Sequence, residues 1–260
     1  MHGGNLVGQP PALVGSEAFN DDPKPLAIRG VREMHSAFFQ RLDATGCAAE
    51  AARLFQHYMD EWFGLDMPNT DEHGRRRFRS DYLCLLKGWA FDANSVEGAV
   101  LKGWVESRFG LAPSYHKAPL GRFGSPAWMH YIEEKLSCRY NNANLYGQLD
   151  LLYEFCQYVL GRWIGRGKPH LALYRGMNPC SDGSLPAGVH SGRCRVRLNN
   201  LVSFSGSREI AGEFGDYILA TRVPFGKIVF FDELLSRHML KSEGEYLVIG
   251  GDYGVEVSYL

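Results

Sequence analysis

The chain has 260 residues, of which 45% are hydrophobic and 22% charged, and its formal net charge is −1. That is long enough to bury a sizeable core and too apolar for a disordered chain, while near-neutrality excludes a whole-chain field that gathers nucleic acid or an anionic membrane surface. No apolar run reaches the length of about eighteen residues that a bilayer-spanning helix needs, and Met1 to Gly15 shows no basic stretch leading into an apolar one, so a cytoplasmic chain without membrane insertion is expected.

Six cysteines (Cys47, Cys84, Cys138, Cys156, Cys180 and Cys194) lack CxxC pairing and a companion histidine at zinc-finger spacing. No metal site or disulfide framework is indicated, and reduced, buried thiols are expected.

Residues 1–30 are rich in Gly, Pro and Asn without periodicity and are expected to form an irregular arm, loosely attached or held extended against a core by Pro10, Pro11 and Pro23. Residues 31–168 are expected to be helical. Ala51, Leu54, Phe55, Tyr58, Met59 and Trp62 recur at three- and four-residue steps, which predicts an amphipathic helix from about Ala48 to Gly64. Asn94 and Glu97 have capping-box separation and predict a second helix with Val100, Leu101, Trp104 and Val105 buried. Ser125-Pro126 predicts a third, and the apolar positions from Leu145 to Trp163 a fourth, ended by turn residues from Gly165 to Pro169.

From residue 169 to 260 the texture changes. His170–Arg175, Arg193–Ser205, Asp216–Val223, Lys227–Phe231, Glu245–Ile249 and Tyr253–Tyr259 read as strands, with short helical candidates only at Ser207–Phe214 and Asp232–His238. The fold class is therefore α+β: a helical amino-terminal half and a mainly antiparallel sheet or sandwich, the two forming one compact unit.

Three pieces of the strand-rich half stand out in order: Leu173-Tyr174-Arg175-Gly176; then Val202-Ser203-Phe204-Ser205 with Ala211 and Phe214 behind it; then Glu243-Gly244-Glu245-Tyr246. Singly each is weak; together, each beside a predicted strand, they are specific. They resemble the arginine–serine–glutamate class of ADP-ribosyltransferases. The helical half, the run Leu173 to Asn178 and the stretch from Leu240 onward are similar to the bacterial NAD–dinitrogenase-reductase ADP-ribosyltransferases.

The resemblance implies NAD as co-substrate, with no catalytic metal. It also implies an arginine of dinitrogenase reductase, the nitrogenase iron protein, as acceptor. The modification would switch that protein off and so regulate nitrogen fixation, under control of a PII signalling protein with ADP.

Matched to the family motif, Glu245 would hold a ribose hydroxyl and stabilise the oxocarbenium-like charge that builds as the nicotinamide bond breaks. Glu243 would orient and deprotonate the incoming guanidinium, with the loop Leu234 to Ser242 meeting the target protein. Ser203 would hold Glu245 and the ribose, and Ser205 would join it or merely satisfy backbone at a strand end. Arg175 would grip phosphate and ribose, or else cap a sheet end through a carboxylate, and Gly176 would let the backbone approach the nicotinamide carboxamide. Phe214 would stack on nicotinamide or pack in the core. Gly244 permits a bend between the two glutamates.

No Gly-x-Gly-x-x-Gly opens a helix after a strand, so a Rossmann dehydrogenase is unsupported, and metalloprotease and α/β-hydrolase motifs are missing too. The basic run Arg75-Arg76-Arg77-Phe78-Arg79 reads as a solvated loop, with a docking or phosphate role as the alternative. Two other readings stay open: an NAD glycohydrolase using water in the same site, and a non-catalytic module that binds NAD or a regulator.

Overall fold

A computed structural model describes residues 5–66, 80–137, 143–165, 167–178, 191–235 and 244–259. Helix α1 (Pro11–Val14) begins with proline, whose missing N–H would have had no helical partner at that position. Ser16 caps α2 (Glu17–Asp21) by accepting from Phe19 N at 3.2 Å. The segment expected to be irregular is thus partly helical and tied down: Val14 and Phe19 are 0% and 1% exposed, and Asn20 Nδ2 donates to Asp252 O at 2.8 Å. Helices of four and five residues carry no readable period and persist only because tertiary burial holds them.

Next come α3 (Val31–Met34), α4 (Ser36–Asp43) and α5 (Ala48–Phe63), the last ended by Gly64 in the left-handed region as its sequence predicts. Ala51, Ala52, Phe55 and Met59 are buried, and the Phe55 ring stacks on Phe155 at 4.2 Å; Trp62, expected on the buried side, is 52% exposed.

Helix α6 (Tyr82–Phe91), capped by Asp81 accepting from Cys84 N at 2.8 Å, has no counterpart among the predicted helices. Its residues are apolar almost throughout, so an amphipathic period is lacking. Helix α7 (Val96–Phe109) corrects the expected cap: Ser95 accepts from Gly98 N at 3.1 Å, whereas the Asn94 carbonyl oxygen turns to Lys102 Nζ at 3.1 Å. A hairpin of two two-residue strands, β1 (Tyr115–His116) and β2 (Ala118–Pro119), precedes α8 (Pro126–Lys135), which starts at the predicted Ser125 cap. The predicted fourth helix is α9 (Ala143–Val159), continued by one π-type turn over Leu160–Ile164.

The strand-rich half contains β3 (His170–Met177), β4 (Gly192–Ser205), α10 (Arg208–Gly212), β5 (Tyr217–Pro224), β6 (Ile228–Phe231) and β7 (Glu245–Tyr259). The two segments expected around Glu245 and Tyr253 are one long strand. Every pairing is antiparallel, in the order β4-β3-β5-β7-β6, and β7 also pairs with β4, so β4, β3, β5 and β7 close a ring. Along β4, the ladder to β7 slips between Leu198 and Leu201, opposite Gly250; a Cβ there would run into the Asn199 carbonyl. The bend divides β7. Its first part lies between β4 and β6, and its last residues lie beside β5.

One buried cluster joins the two halves, from Phe38 and Phe55 through Tyr153 and Phe155 to Phe230, Leu247 and Val248. Helix α9 seals it against the sheet: Tyr153 Oη donates to Gly226 O at 2.9 Å, and Gln157 Nε2 to Ile228 O at 2.8 Å. Of the thiols, Cys156 is buried as expected while Cys47 is exposed, and Cys138 and Cys180 lie outside the described residues. No helix among the described residues is long and apolar enough to cross a membrane.

Candidate active site

Strand register brings the three sequence motifs together. Ser205 of β4 is paired on one side with Tyr174 of β3 and on the other with Glu245 of β7, so Arg175, Ser203 and Glu245 come from three adjoining strands. Alternation along β4 turns Ser203 and Ser205 to one face and Phe204 to the other. Phe204 is 2% exposed and leans on Tyr253, which explains an aromatic between the two serines as a core residue.

Ser203 Oγ donates to Glu245 Oε1 at 2.7 Å, and Arg175 Nη1 donates to the Ser203 carbonyl at 2.7 Å. Arg175 thereby fastens β3 to the strand that carries the serine, in addition to any contact with a ligand. These side chains line a cleft of about 450 Å³ together with Gly176, Asn178 and Phe214, a volume in the range of small-molecule sites.

Gly176 serves a close approach: a Cβ there would collide with the Ala211 carbonyl oxygen of α10. Without a side chain at 176, α10 docks onto β3 and forms one wall of the cleft. Ser205 is 7% exposed and accepts from Ser207 N at 3.0 Å, so at the least it satisfies backbone at the strand end. Phe214 is 63% exposed and lines the cleft, so core packing is ruled out. It falls outside the core because α10 ends at Gly212.

Glu243 lies outside the described residues, as do Arg75 to Arg79 and most of the loop before the glutamate pair, whose first members Leu234 and Leu235 are buried. Gly244 has φ 75°, in the left-handed region, and its carbonyl accepts from Gly206 N at 3.0 Å.

The wall that sequence reading missed comes from the helical half. Trp89, Ala90, Phe91, Asp92 and Ala93, at the end of α6, line the same cleft. Trp89 Nε1 donates to Ser203 Oγ at 2.9 Å across 114 positions of sequence, and Phe91 is 94% exposed. Behind the Trp89 ring, at 5.9 Å, lies the Lys102 ammonium, 1% exposed, whose pKa burial lowers to about 8. The only local signal was an apolar run closing on Trp-Ala-Phe-Asp.

Chemically the cleft offers a carboxylate held by a hydroxyl, a guanidinium, polar backbone and exposed aromatic rings. A profile described as dinitrogenase reductase ADP-ribosyltransferase matches residues 4–257. The chain belongs to that family. The NAD(+)–dinitrogen-reductase ADP-D-ribosyltransferase of Rhodospirillum rubrum is similar throughout, 50% identical over 265 residues that cover 100% of this chain and 96% of that protein. No solved structure matches significantly. The dinitrogenase reductase ADP-ribosyltransferase match runs through both halves, in keeping with the resemblance read from the motifs, and so includes α6 as well as the strands.

Proposed function

We propose that this chain transfers ADP-ribose from NAD to an arginine of dinitrogenase reductase, inactivating it and so regulating nitrogen fixation. The observation that carries the reading is the 2.7 Å Ser203–Glu245 hydrogen bond inside a cleft that also holds Arg175, in a chain 50% identical to an enzyme named for that reaction.

The residues fit the dinucleotide. Arg175 supplies a fixed cation for phosphate and ribose, the Gly176 backbone lies along the cleft, and Phe214 offers an open ring face for nicotinamide. Glu245 would accept from a ribose hydroxyl and stabilise the cation that forms as the ribose–nitrogen bond breaks. Nicotinamide leaves neutral with the bonding electron pair. The arginine nitrogen then bonds to the anomeric carbon, and the proton it sheds passes to Glu243. The products are ADP-ribosyl-arginine, nicotinamide and a proton, with no metal called for. Ser203 would hold Glu245 and the ribose, while Ser205 would help hold the dinucleotide besides closing the strand end.

Residues 169–260 are read as the catalytic core, with residues 31–168 completing one wall. A PII signalling protein, with ADP, is read as the regulator, and a cytoplasmic location follows from the acceptor.

The test incubates the purified chain and Glu245→Gln with labelled NAD, reduced dinitrogenase reductase, PII protein and ADP, and locates modified residues by mass spectrometry. Arginine-linked ADP-ribose made by the parent alone supports the reading; NAD binding without transfer or hydrolysis would favour a binding module. Glu243→Gln separates the remaining rival. Loss of transfer with NAD hydrolysis retained fits the proton-accepting role, whereas undiminished transfer would remove it.

A further inference from the structure

Among the residues lining the cleft, Trp89 is the one whose side chain reaches from the helical half to the centre of the strand motif. We propose that Trp89 is a positioning residue for the Ser203–Glu245 pair, an inference that rests on reading the cleft as the ADP-ribosyl-transfer site.

A serine hydroxyl has one hydrogen to give and two lone pairs to receive with, and its torsion is free unless neighbours fix it. The indole N–H can only donate. By donating to Ser203 Oγ at 2.9 Å it takes one lone pair and leaves the hydroxyl hydrogen no reason to turn toward α6. The hydrogen then goes to Glu245 Oε1 at 2.7 Å. The direction of the chain Trp89 to Ser203 to Glu245 is therefore set at its first member, and the orientation of the carboxylate that faces the ribose is set with it.

Trp89 is itself held. It is 4% exposed, its ring lies over the buried Lys102 ammonium, and Lys102 Nζ donates to Asn94, which fixes the loop that follows α6. Immediately before Trp89, Gly88 lets α6 close against the Glu97 side chain of α7, where any Cβ would clash. A donor held this rigidly loses little entropy when the transition state forms, the condition under which orientation raises turnover more than affinity.

The decisive experiment is a double-mutant cycle with Trp89→Phe and Ser203→Ala, following transfer and NAD hydrolysis. Trp89→Phe keeps a ring over Lys102 and deletes the N–H. It is expected to lower kcat about tenfold for both reactions, as loss of one well-placed hydrogen bond does, with KM for NAD within about twofold. In the Ser203→Ala background the same change is expected to cost nothing further. A full additional loss there, or no loss in the wild type, would overturn the proposal and leave Trp89 a packing residue.

Because Trp89→Phe can fail to fold, the indole resonance of the ¹⁵N-labelled parent is compared with that of Ser203→Ala. A hydrogen-bonded indole proton should move upfield and exchange faster when the serine is removed; an unmoved resonance sinks the idea. That spectrum also separates the two failures. A parent chain that makes no ADP-ribosyl product removes the functional reading, while the resonance still reports whether the indole holds Ser203.

Discussion

Ser203 and Glu245 meet diagonally across the β4–β7 ladder, in which Ser203 is paired with Leu247 and Ser205 with Glu245, yet Ser203 Oγ reaches Glu245 Oε1 at 2.7 Å. Side chains two positions apart along neighbouring strands are within reach of one another when one of them is long. The contact thus follows from register, and register follows from the buried faces of β4 and β7.

Unequal effects should follow at the two positions. Glu245→Gln removes the charge that answers the ribosyl cation and is expected to lower kcat by about 10²–10³, the scale of losing one preorganised electrostatic group. Ser203→Ala leaves the charge but frees its orientation, and about tenfold is expected. Initial rates with labelled NAD, beside melting curves that should barely move, check both. Equal losses at the two sites would mean that the serine does more than orient.

Gly176→Ala should fail structurally before it fails chemically. The added methyl would collide with the Ala211 carbonyl oxygen, which is backbone and has nowhere to rotate. Either α10 lifts from β3, opening the wall that carries Phe214, or the strand shifts. The expected result is a loss of roughly 2 kcal/mol or more in stability, in line with overpacking of a tight site, and weaker NAD binding, read by urea melts and by titration. An alanine variant with parent stability would show that α10 is not seated as described.

How much of this was legible in the sequence depended on what kind of signal each element leaves. Helices α5, α8 and α9 were readable because each has a period or a cap: Gly64 stops α5, and Ser125-Pro126 opens α8. Helix α6 has ten residues that are nearly all apolar, so it has neither stripe nor period, and with it went Trp89 and the helical wall of the cleft. The expected Asn94 cap is off by one residue because Asn and Ser are both good caps, and only tertiary partners, the buried Lys102 ammonium and the Lys117 N–H, draw the Asn94 side chain away. Arg175, Ser203 and Glu245 were found through motif order, but sequence spacing contains nothing about Ser203 Oγ accepting from a residue 114 positions earlier.

Glu154 of α9 is 0% exposed and accepts from Ile28 N at 2.6 Å and from Arg32 Nε at 2.5 Å. Burial raises its carboxyl pKa, the opposing pull of Arg32 being the smaller effect. A raised carboxyl pKa means that the folded chain holds the proton more tightly than the unfolded one. The associated stability is full below the unfolded value and is lost as pH rises through the folded one. Arg32→Ala deletes the opposing cation, so the folded value should climb and the loss should extend to higher pH. At pH 7 a cost of about 2 kcal/mol is expected, less than for a fully buried pair because Arg32 is 46% exposed on its side chain. Urea melts at pH 5 and pH 7 test it: a parent–variant gap that is the same at both would show that Glu154 is not the responsible group.

Lys227 supplies the opposite case, a cation buried without an acceptor. It is 0% exposed, its Nζ lies 4.7 Å from the Tyr253 ring centre and 5.6 Å from that of Phe19, and it has no hydrogen-bond partner among the described residues. Burial lowers its pKa to about 7, with the Asp252 carboxylate pulling weakly the other way. Between that value and the ordinary lysine range the unfolded chain binds more protons than the folded one, so this group makes stability rise with pH across the window. Below pH 7 the full penalty of burying an ammonium applies, and two ring faces, worth about 0.5–2 kcal/mol each, do not cancel it. Lys227→Met keeps the length and removes the charge. Its melting point should exceed that of the parent at pH 6, and the difference should shrink as pH rises to 9, a comparison that removes the other groups titrating in the same range. Parallel curves would show that the surroundings of the ammonium offset its burial in full, and a gap that widens as pH rises would show that they more than offset it.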